Sequence, residues 1–189
     1  MIKKVSVIGA GTMGNGIAQV FAMNDYEVQL VDLSQPALDK ALATITKNAD
    51  RMIAKGTISE NVKQQLLKNL STHTTLEICA NADLVVEAAT ENVEVKLNLF
   101  RQLDSICKSE TILASNTSSI SITRIAAATG RADKVIGMHF MNPVPLMKLV
   151  EIIRGYATSD EVMKQITHTS PKLNKIQVEA NDYPCFVAN

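Results

Sequence analysis

The chain has 189 residues with 19 basic and 19 acidic side chains, so its formal net charge is zero, and 46% of its residues are apolar. This length and apolar content predict a globular domain with one sizeable core and exclude a disordered chain. The charge balance argues against nucleic acid or an anionic membrane as a partner. No apolar run reaches the roughly 18 residues that cross a bilayer, and the N-terminus leads straight into a strand, so no membrane segment and no signal peptide are predicted.

The cysteines predict neither a metal site nor a disulfide framework. Cys79, Cys107 and Cys185 are odd in number, lie far apart and show no C-x-x-C spacing. The three histidines are equally scattered. We therefore expect no bound metal and a reducing, cytoplasmic location.

The first predicted element is a short buried strand over residues 5–8, followed by a glycine turn and a helix. Gly9, Gly11 and Gly14 have the G-x-G-x-x-G spacing of a dinucleotide site. Gly9 would allow the tight turn, Gly11 the close approach of a pyrophosphate, and Gly14 the close packing of the helix. The unpaired amides that begin a helix favour a diphosphate. The alternative is an ordinary strand–turn–helix unit.

The second predicted strand, residues 28–31, leads to Asp32, which lies 18 residues after Gly14. An acidic residue near this position accepts hydrogen bonds from the adenine ribose hydroxyls of a dinucleotide. Leu33 and Ser34 follow it rather than an arginine, so a 2′-phosphate would meet a carboxylate without a cation. The sequence therefore favours NAD over NADP, and the alternative is a solvated carboxylate at a strand end.

Residues of about 35–70 predict a helical hairpin that is longer than a crossover connection requires. Ser34 is expected to cap the first helix, Pro36 suits its first turn and Gly56 is expected to end it, while Ser59 is expected to start the second helix. Its outer face is cationic and carries Lys40, Lys47, Arg51, Lys55, Lys63 and Lys68. This face is either simply solvated or an arm that grips a phosphate-bearing substrate.

Strands and helices continue to alternate, which predicts a parallel sheet covered on both faces. A strand over residues 83–88 and a helix over residues 93–106 precede a strand over residues 111–114. The polar run Ser115–Ser119 follows that strand, at the edge where open α/β sheets bind ligands. The alternative is that Ser118 or Ser119 caps a helix over residues 120–128.

A strand over residues 134–140 carries His139 near its end, and a proline-rich bend separates it from a strand over residues 148–153. The bend is centred midway between His139 and Glu151, so an antiparallel pair would place these two residues opposite each other. A carboxylate beside an imidazole fixes its tautomer and favours its charged form, as a general acid and base requires. The alternative is a structural histidine. A helix over residues 159–173 and a strand over residues 176–179 follow.

Taken together, these motifs resemble the NAD-binding domain of the 3-hydroxyacyl-CoA dehydrogenases, most closely the bacterial 3-hydroxybutyryl-CoA dehydrogenases. The resemblance covers the whole chain. It rests on five runs: residues 9–14, residues 85–96, residues 114–119, residues 139–151, and the closing pattern of Asp182, Pro184, Phe186, Val187 and Asn189.

The resemblance implies an α/β fold with a Rossmann-like, doubly wound, mostly parallel sheet and a helical hairpin arm. It implies an NAD-binding domain over residues 1–184, with residues 185–189 starting an all-helical domain that is otherwise absent. That domain forms the dimer in the family, so we expect this chain to be a fragment of a homodimeric protein. Cys185 stands where the family usually has glycine, which puts the placing of Asn189 in question.

The implied activity is NAD-dependent interconversion of 3-hydroxyacyl-CoA and 3-oxoacyl-CoA, in fatty acid and butanoate metabolism, with an acyl-CoA thioester as substrate. His139 would be the acid and base, Glu151 would hold it, and Ser118 and Asn189 would bond the substrate oxygens. Lys55 and Asn48 would contact coenzyme A. The residues implied at the cofactor are Gly9, Ala10, Gly11, Thr12, Met13, Gly14, Asp32, Glu91, Lys96, Ser118 and Asn142.

Two alternatives to this activity stay open. One is a non-catalytic NAD-binding protein of the same fold, against which Ser118, His139 and Glu151 argue together. The other is a different NAD-dependent hydroxyacid dehydrogenase. The beta-hydroxyacid type needs a catalytic lysine in a helical segment that this sequence lacks.

Overall fold

The computed structural model describes residues 2–182, in which eight strands form a single sheet with helices on both faces. The strands are β1 (Lys4–Ile8), β2 (Glu27–Val31), β3 (Leu70–His73), β4 (Leu84–Glu87), β5 (Ile112–Ser115), β6 (Val135–Phe140), β7 (Leu149–Arg154) and β8 (Ile176–Asn181). The α-helices are α1 (Thr12–Met23), α2 (Gln35–Ala54), α3 (Glu60–Asn69), α4 (Val93–Ile106), α5 (Ile122–Ala126) and α6 (Asp160–Thr169). Short 3-10 helices cover Leu76–Asn81, Ala132–Lys134 and Ser170–Leu173.

The strand order is β3-β2-β1-β4-β5-β6-β7-β8. Neighbouring strands are parallel from β3 to β6, β7 is antiparallel to β6, and β8 is parallel to β7. The predicted mostly parallel, Rossmann-like sheet is therefore confirmed. The chain winds outward in opposite directions from β1 and β4, so the crevice between their carboxyl ends is where such a sheet binds ligands.

Two hydrophobic clusters cover the two faces of the sheet, because side chains alternate along each buried strand. The first cluster packs α1, α2, α3 and α6 on one face, with Phe21 and Ile45 fully buried. The second packs α4 and α5 on the other face, around Phe100 and Ile125. Parallel strands buried on both sides explain the near-continuous apolar runs of the sequence.

The helical hairpin consists of α2 and α3, and serine side chains cap both helices, of which the cap by Ser34 was predicted. Ser34 Oγ accepts from the Ala37 amide and Ser59 Oγ from the Val62 amide. Gly56 follows the first helix with a φ of +68°, a conformation that glycine adopts without strain. The cationic outer face is partly neutralised, since Lys63 pairs with Asp50 at 2.5 Å.

Three predicted elements differ from the structure. Leu70 does not end the second helix of the hairpin but starts β3, a short edge strand that the sequence analysis missed. The helix expected over residues 120–128 is only α5, and Ser121 caps it rather than Ser118 or Ser119. The helix expected to reach Leu173 ends at Thr169 and tightens into a 3-10 turn.

Within residues 2–182, none of the helices combines the length and the apolar character that a bilayer crossing requires. The same residues contain no cluster of three or more histidine, cysteine, aspartate or glutamate side chains that could hold a metal ion. Cys79 and Cys107 are free and buried, and burial raises the pKa of the Cys107 thiol to about 12.

Candidate active site

The glycine turn joins β1 to α1 at the carboxyl edge of the sheet. Gly9 has a φ of +101°, and a Cβ on it would lie 2.7 Å from the carbonyl oxygen of Ala88. A Cβ on Gly14 would lie 1.7 Å from the carbonyl oxygen of Gly9, so the helix can approach the turn only with glycine there. A Cβ on Gly11 would meet no atom of the described chain within 4 Å. Gly11 therefore borders open space, while Gly9 and Gly14 are fixed by packing.

Asp32 braces this turn from the end of β2. One carboxylate oxygen accepts from the Ala10 amide at 2.8 Å, and the other accepts from the Ser34 amide at 2.9 Å. Its carboxylate also borders two cavities that lie on either side of the turn. Asp32 is thus held rigidly at the mouth of both.

The larger cavity has a volume of about 560 Å³ and lies between the glycine turn, the hairpin and the proline-rich bend. Of the residues predicted for the site, it is lined by Gly9, Ala10, Gly11, Thr12, Asp32, Asn48 and Asn142. Asn48 also donates to Gln19 Oε1 at 3.2 Å. Lys55 is exposed at the end of α2 and is not among the residues that line this cavity.

A second cavity of about 470 Å³ lies on the other side of the turn. Apolar side chains form much of its wall, namely Leu33, Leu76, Val95 and Leu99. Leu33 is 89% exposed and Val95 is 55% exposed, so this wall is accessible from outside. A flat apolar ring fits such a surface better than a charged group does.

The proline-rich bend is held in place by a buried lysine. Lys175 Nζ donates to the carbonyl oxygens of Val144 at 2.5 Å and Met147 at 2.6 Å. Burial lowers the pKa of this ammonium below its ordinary value. Val144 also packs on α1, where a Cβ on Gly16 would lie 2.8 Å from its Cβ. These contacts fix the wall of the larger cavity that Asn142 helps to form.

Glu87 joins the ends of β4 and β5 to α4. It is fully buried and accepts from the amides of Ala89 at 2.9 Å and Thr90 at 3.3 Å. Its other oxygen accepts from Ser115 Oγ at 2.8 Å and from the ammonium of Lys96. This buried ion pair thus ties α4 to the end of β4, next to Ala88 and Ala89, whose backbone atoms leave no room for a Cβ on Gly9.

Lys96 is therefore committed mainly to a structural pair, although it also borders a third cavity of about 240 Å³. Met13, Glu91 and Asn116 share that cavity. Glu91 accepts from Thr117 Oγ1 at 2.8 Å, which ties it to the polar run after β5. Four residues predicted for the cofactor, at positions 13, 32, 91 and 96, thus lie along one edge of the sheet.

His139 and Glu151 are direct partners across the antiparallel strands β6 and β7. Nδ1 of His139 lies 2.7 Å from Oε2 of Glu151, and the two residues are 8% and 0% exposed. A carboxylate can only accept, so Nδ1 carries a proton and donates it. This tautomer directs the proton-accepting role to Nε2. The predicted juxtaposition of the two residues is confirmed.

Ser118 is half-buried and follows β5 in the run that also holds Thr117. Asp182 orders the end of this run, because it accepts from Ser121 Oγ at 2.7 Å and from the amides of Ile122 and Thr123 at 2.8 and 2.7 Å. Cys185 and Asn189, the other positions singled out near the C-terminus, lie outside the described residues.

Three polar residues of the site were missed by the sequence analysis as individual positions, namely Glu87, Ser115 and Asn116. All three stand at or just beyond the carboxyl end of a parallel strand. In the sequence, each is a polar residue that directly follows the apolar part of a strand, at the edge where such a sheet binds ligands. This pattern could have identified the three residues, but only the structure shows which residues they contact.

Comparison with known proteins identifies relatives along the whole described chain. A family model described as "3-hydroxyacyl-CoA dehydrogenase, NAD binding domain" matches residues 4–183. The chain is 46% identical over 186 residues to the 3-hydroxybutyryl-CoA dehydrogenase of Clostridioides difficile, covering 98% of this chain and 66% of that protein. It is 50% identical over 186 residues to a probable 3-hydroxybutyryl-CoA dehydrogenase of Deinococcus radiodurans, with the same coverage.

A crystal structure of (S)-3-hydroxybutyryl-CoA dehydrogenase from Ralstonia eutropha superposes with a TM-score of 0.98 at 45% identity. The match covers 100% of this chain and 67% of that one. The chain therefore spans about two thirds of the length of the relatives it matches.

Proposed function

The chain belongs to the NAD-binding domain family of the 3-hydroxyacyl-CoA dehydrogenases, with NAD as cofactor, and we propose that it carries the cofactor and proton-transfer sites of such an enzyme. The proposed reaction interconverts 3-hydroxyacyl-CoA, with 3-hydroxybutyryl-CoA as the preferred substrate, and the matching 3-oxoacyl-CoA. The observation that carries this proposal is the buried His139–Glu151 pair, 2.7 Å apart. It supplies the acid–base group that hydride transfer to or from an alcohol requires.

The residues around the glycine turn fit a dinucleotide. Open space above Gly11 leaves room for a pyrophosphate against the backbone at the start of α1. Asp32, already anchored by two amides, would accept from the ribose hydroxyls. The apolar wall of the second cavity suits an adenine ring. In this proposal Glu91, Lys96 and Asn142 line the other half of the cofactor.

Bound NAD supplies the hydride acceptor or donor, and the chain supplies position and proton handling. In oxidation, Nε2 of His139 takes the hydroxyl proton of the substrate while C3 loses hydride. Glu151 stabilises the imidazolium that results, since its carboxylate already accepts from Nδ1. In reduction, the same nitrogen returns the proton to the forming alkoxide. Ser118, and Asn189 from outside the described residues, would bond the substrate oxygens.

The coenzyme A part of the substrate is proposed to lie along the hairpin. Asn48 borders the larger cavity, and Lys55 stands at the exposed end of α2. The cationic side chains of this arm would attract the phosphates of coenzyme A, an effect that salt weakens. Lys63 contributes less to this attraction because it is paired with Asp50.

The resemblance extends the proposal to the whole protein. We propose that residues 1–184 form one NAD-binding unit, that residues 185–189 begin a further helical domain, and that the enzyme is a cytoplasmic homodimer. Size-exclusion chromatography with light scattering on a chain of the relatives' full length measures the oligomeric state directly. A monomer would contradict the dimer and leave the cofactor site intact.

The reaction is tested on a chain of the relatives' full length by following NADH oxidation with acetoacetyl-CoA, together with NADH binding by titration. His139→Gln should bind NADH as the unmodified chain does but lose about 100-fold or more in turnover. His168→Gln, an exposed histidine on α6, is the matched control and should keep full activity. Retained turnover in His139→Gln would overturn the acid–base role. NADH binding without turnover in the unmodified protein would instead favour a non-catalytic NAD-binding protein.

A further inference from the structure

Asn116 lies directly after β5 and couples two strand ends. Its backbone amide donates to the Glu87 carbonyl at 2.8 Å, which continues the pairing of β4 with β5. Its side-chain oxygen accepts from the Phe140 amide at 2.9 Å. Phe140 is the residue after His139, so Asn116 contacts the strand end that carries the acid–base group.

The orientation of the Asn116 carboxamide follows from this contact. A backbone N–H can only donate, so the atom that faces Phe140 is the oxygen, and Nδ2 points elsewhere. Within residues 2–182, no hydrogen-bond partner exists for this Nδ2 group. In the same range, Gln177 Oε1 is the only fully buried side-chain polar atom without a partner. Nδ2 is therefore accessible, although the residue as a whole is only 8% exposed.

Asn116 borders the third cavity, of about 240 Å³, which Met13, Glu91 and Lys96 also line. Because Nδ2 has no partner within residues 2–182 and Asn116 lines this cavity, the donor is available to an acceptor of a ligand that fills the cavity, in exchange for water. The Glu91 carboxylate on the same wall repels an anion, and the Lys96 ammonium does not offset this because it is already paired with Glu87. The acceptor that suits this position is therefore a neutral carbonyl oxygen rather than a phosphate.

We propose that Asn116 Nδ2 donates a hydrogen bond to a carbonyl oxygen of the bound cofactor or substrate. This inference rests on the proposed function, which offers two sources of that chemistry. One is the carboxamide of the nicotinamide ring, and the other is the carbonyl of the acyl thioester. Through Oδ1 and the Phe140 amide, the same side chain fixes the ligand relative to His139.

The test is Asn116→Asp, because an aspartate keeps the acceptor for the Phe140 amide, removes the Nδ2 donor and adds one negative charge, whose effect the control variant measures. Asn92→Asp is the matched control, since Asn92 caps α4 with Oδ1 on the Val95 amide at 3.1 Å, and aspartate caps equally well. It adds the same negative charge at an exposed position and leaves the Asn116 side chain unchanged. In a chain of the relatives' full length, binding of NADH and of ADP-ribose, which lacks the nicotinamide, is titrated for each variant, and KM for acetoacetyl-CoA is measured.

For a nicotinamide contact, Asn116→Asp weakens NADH binding by about tenfold and leaves ADP-ribose binding unchanged. For a thioester contact, NADH binding is unchanged and KM for acetoacetyl-CoA rises by about tenfold. Either result supports the inference, provided that Asn92→Asp does not show the same change. Unchanged values throughout, or equal losses in both variants, overturn it. No NADH binding by the unmodified chain contradicts the proposed function as well, whereas the other negative results contradict this inference alone.

Discussion

Oε2 of Glu151 lies 2.7 Å from Nδ1 of His139, and the two residues are register partners across the only antiparallel contact among the strands of residues 2–182. The reversal of direction between β6 and β7 brings residues twelve positions apart face to face. The pair thereby holds one imidazole tautomer with almost no exposure to solvent.

Replacing Glu151 by Gln should lower kcat far more than it changes KM for NADH. Glutamine keeps the size of the side chain and can still accept from Nδ1, but it gives no charge to stabilise an imidazolium. We expect a loss of about 100-fold in kcat, within the range of acid–base contributions. Steady-state kinetics of acetoacetyl-CoA reduction measures this split. A variant with unchanged kcat would show that the carboxylate charge is not needed.

Replacing Gly14 by alanine should lower the stability of the fold, whereas replacing Gly11 by alanine should weaken NADH binding. At Gly14 a methyl group would lie 1.7 Å from a backbone oxygen, so the turn and α1 must separate and the free energy of unfolding should fall by several kcal/mol, about 2–4. At Gly11 the methyl group meets no atom of residues 2–182 within 4 Å and projects into the space proposed for the pyrophosphate.

Gly11→Ala should therefore keep the stability to within about 1 kcal/mol, since only a helix-capping preference changes, and weaken NADH binding at least tenfold. Urea denaturation and NADH titration of both variants measure these effects. If Gly11→Ala bound NADH as tightly as the unmodified chain, the pyrophosphate would have to lie elsewhere.

Removing one member of the Glu87–Lys96 pair should lower the free energy of unfolding. The two side chains are 0% and 1% exposed, so Glu87→Gln leaves a buried ammonium without its counter-ion and should destabilise the fold by about 3–5 kcal/mol. Adding Lys96→Met to this variant should restore part of the loss, because no unpaired charge remains. Denaturant unfolding of the single and double variants gives the comparison.

Glu27→Gln is the control for that experiment. Glu27 pairs with Lys4 at 2.9 Å, but its side chain is 61% exposed, so the change should be below about 1 kcal/mol. A double variant that is less stable than Glu87→Gln would contradict the unpaired-charge explanation.

Asp182 should make the stability depend on pH. Burial alone raises the pKa of this carboxyl, but hydrogen bonds from Thr123, Ser121 and the Ile122 amide outweigh it and hold the pKa below its ordinary value. A depressed pKa in the folded state contributes stability above the unfolded value of about 3.9. That contribution is lost as pH falls further, through the folded pKa.

Asp182→Asn should accordingly lower Tm near pH 7, and the difference from the unmodified chain should shrink below about pH 4. Thermal unfolding followed by circular dichroism at both pH values measures it. Asp25→Asn, in an exposed turn, is a control for the loss of one negative charge. A Tm difference that stays constant with pH would show that the carboxylate charge is not what Asp182 contributes.

The sequence by itself determined the alternation of strands and helices, the glycine turn and the hairpin. These features depend on local chemistry: apolar runs flanked by polar residues, serine caps at Ser34 and Ser59, and glycine where a positive φ is needed. The juxtaposition of His139 and Glu151 was also predictable, because a short symmetric bend between two strands fixes their register.

Only the tertiary structure decided which polar strand ends become partners. Glu87, Lys96 and Ser115 belong to three different elements, and their contact depends on the order of β4, β5 and α4 in space. The start of α5 also depends on the tertiary structure, because Asp182, which follows β8, accepts from the Ile122 amide. Likewise, β3 is a strand because it pairs with the edge of β2. Such contacts join residues far apart in the chain, and no local pattern records them.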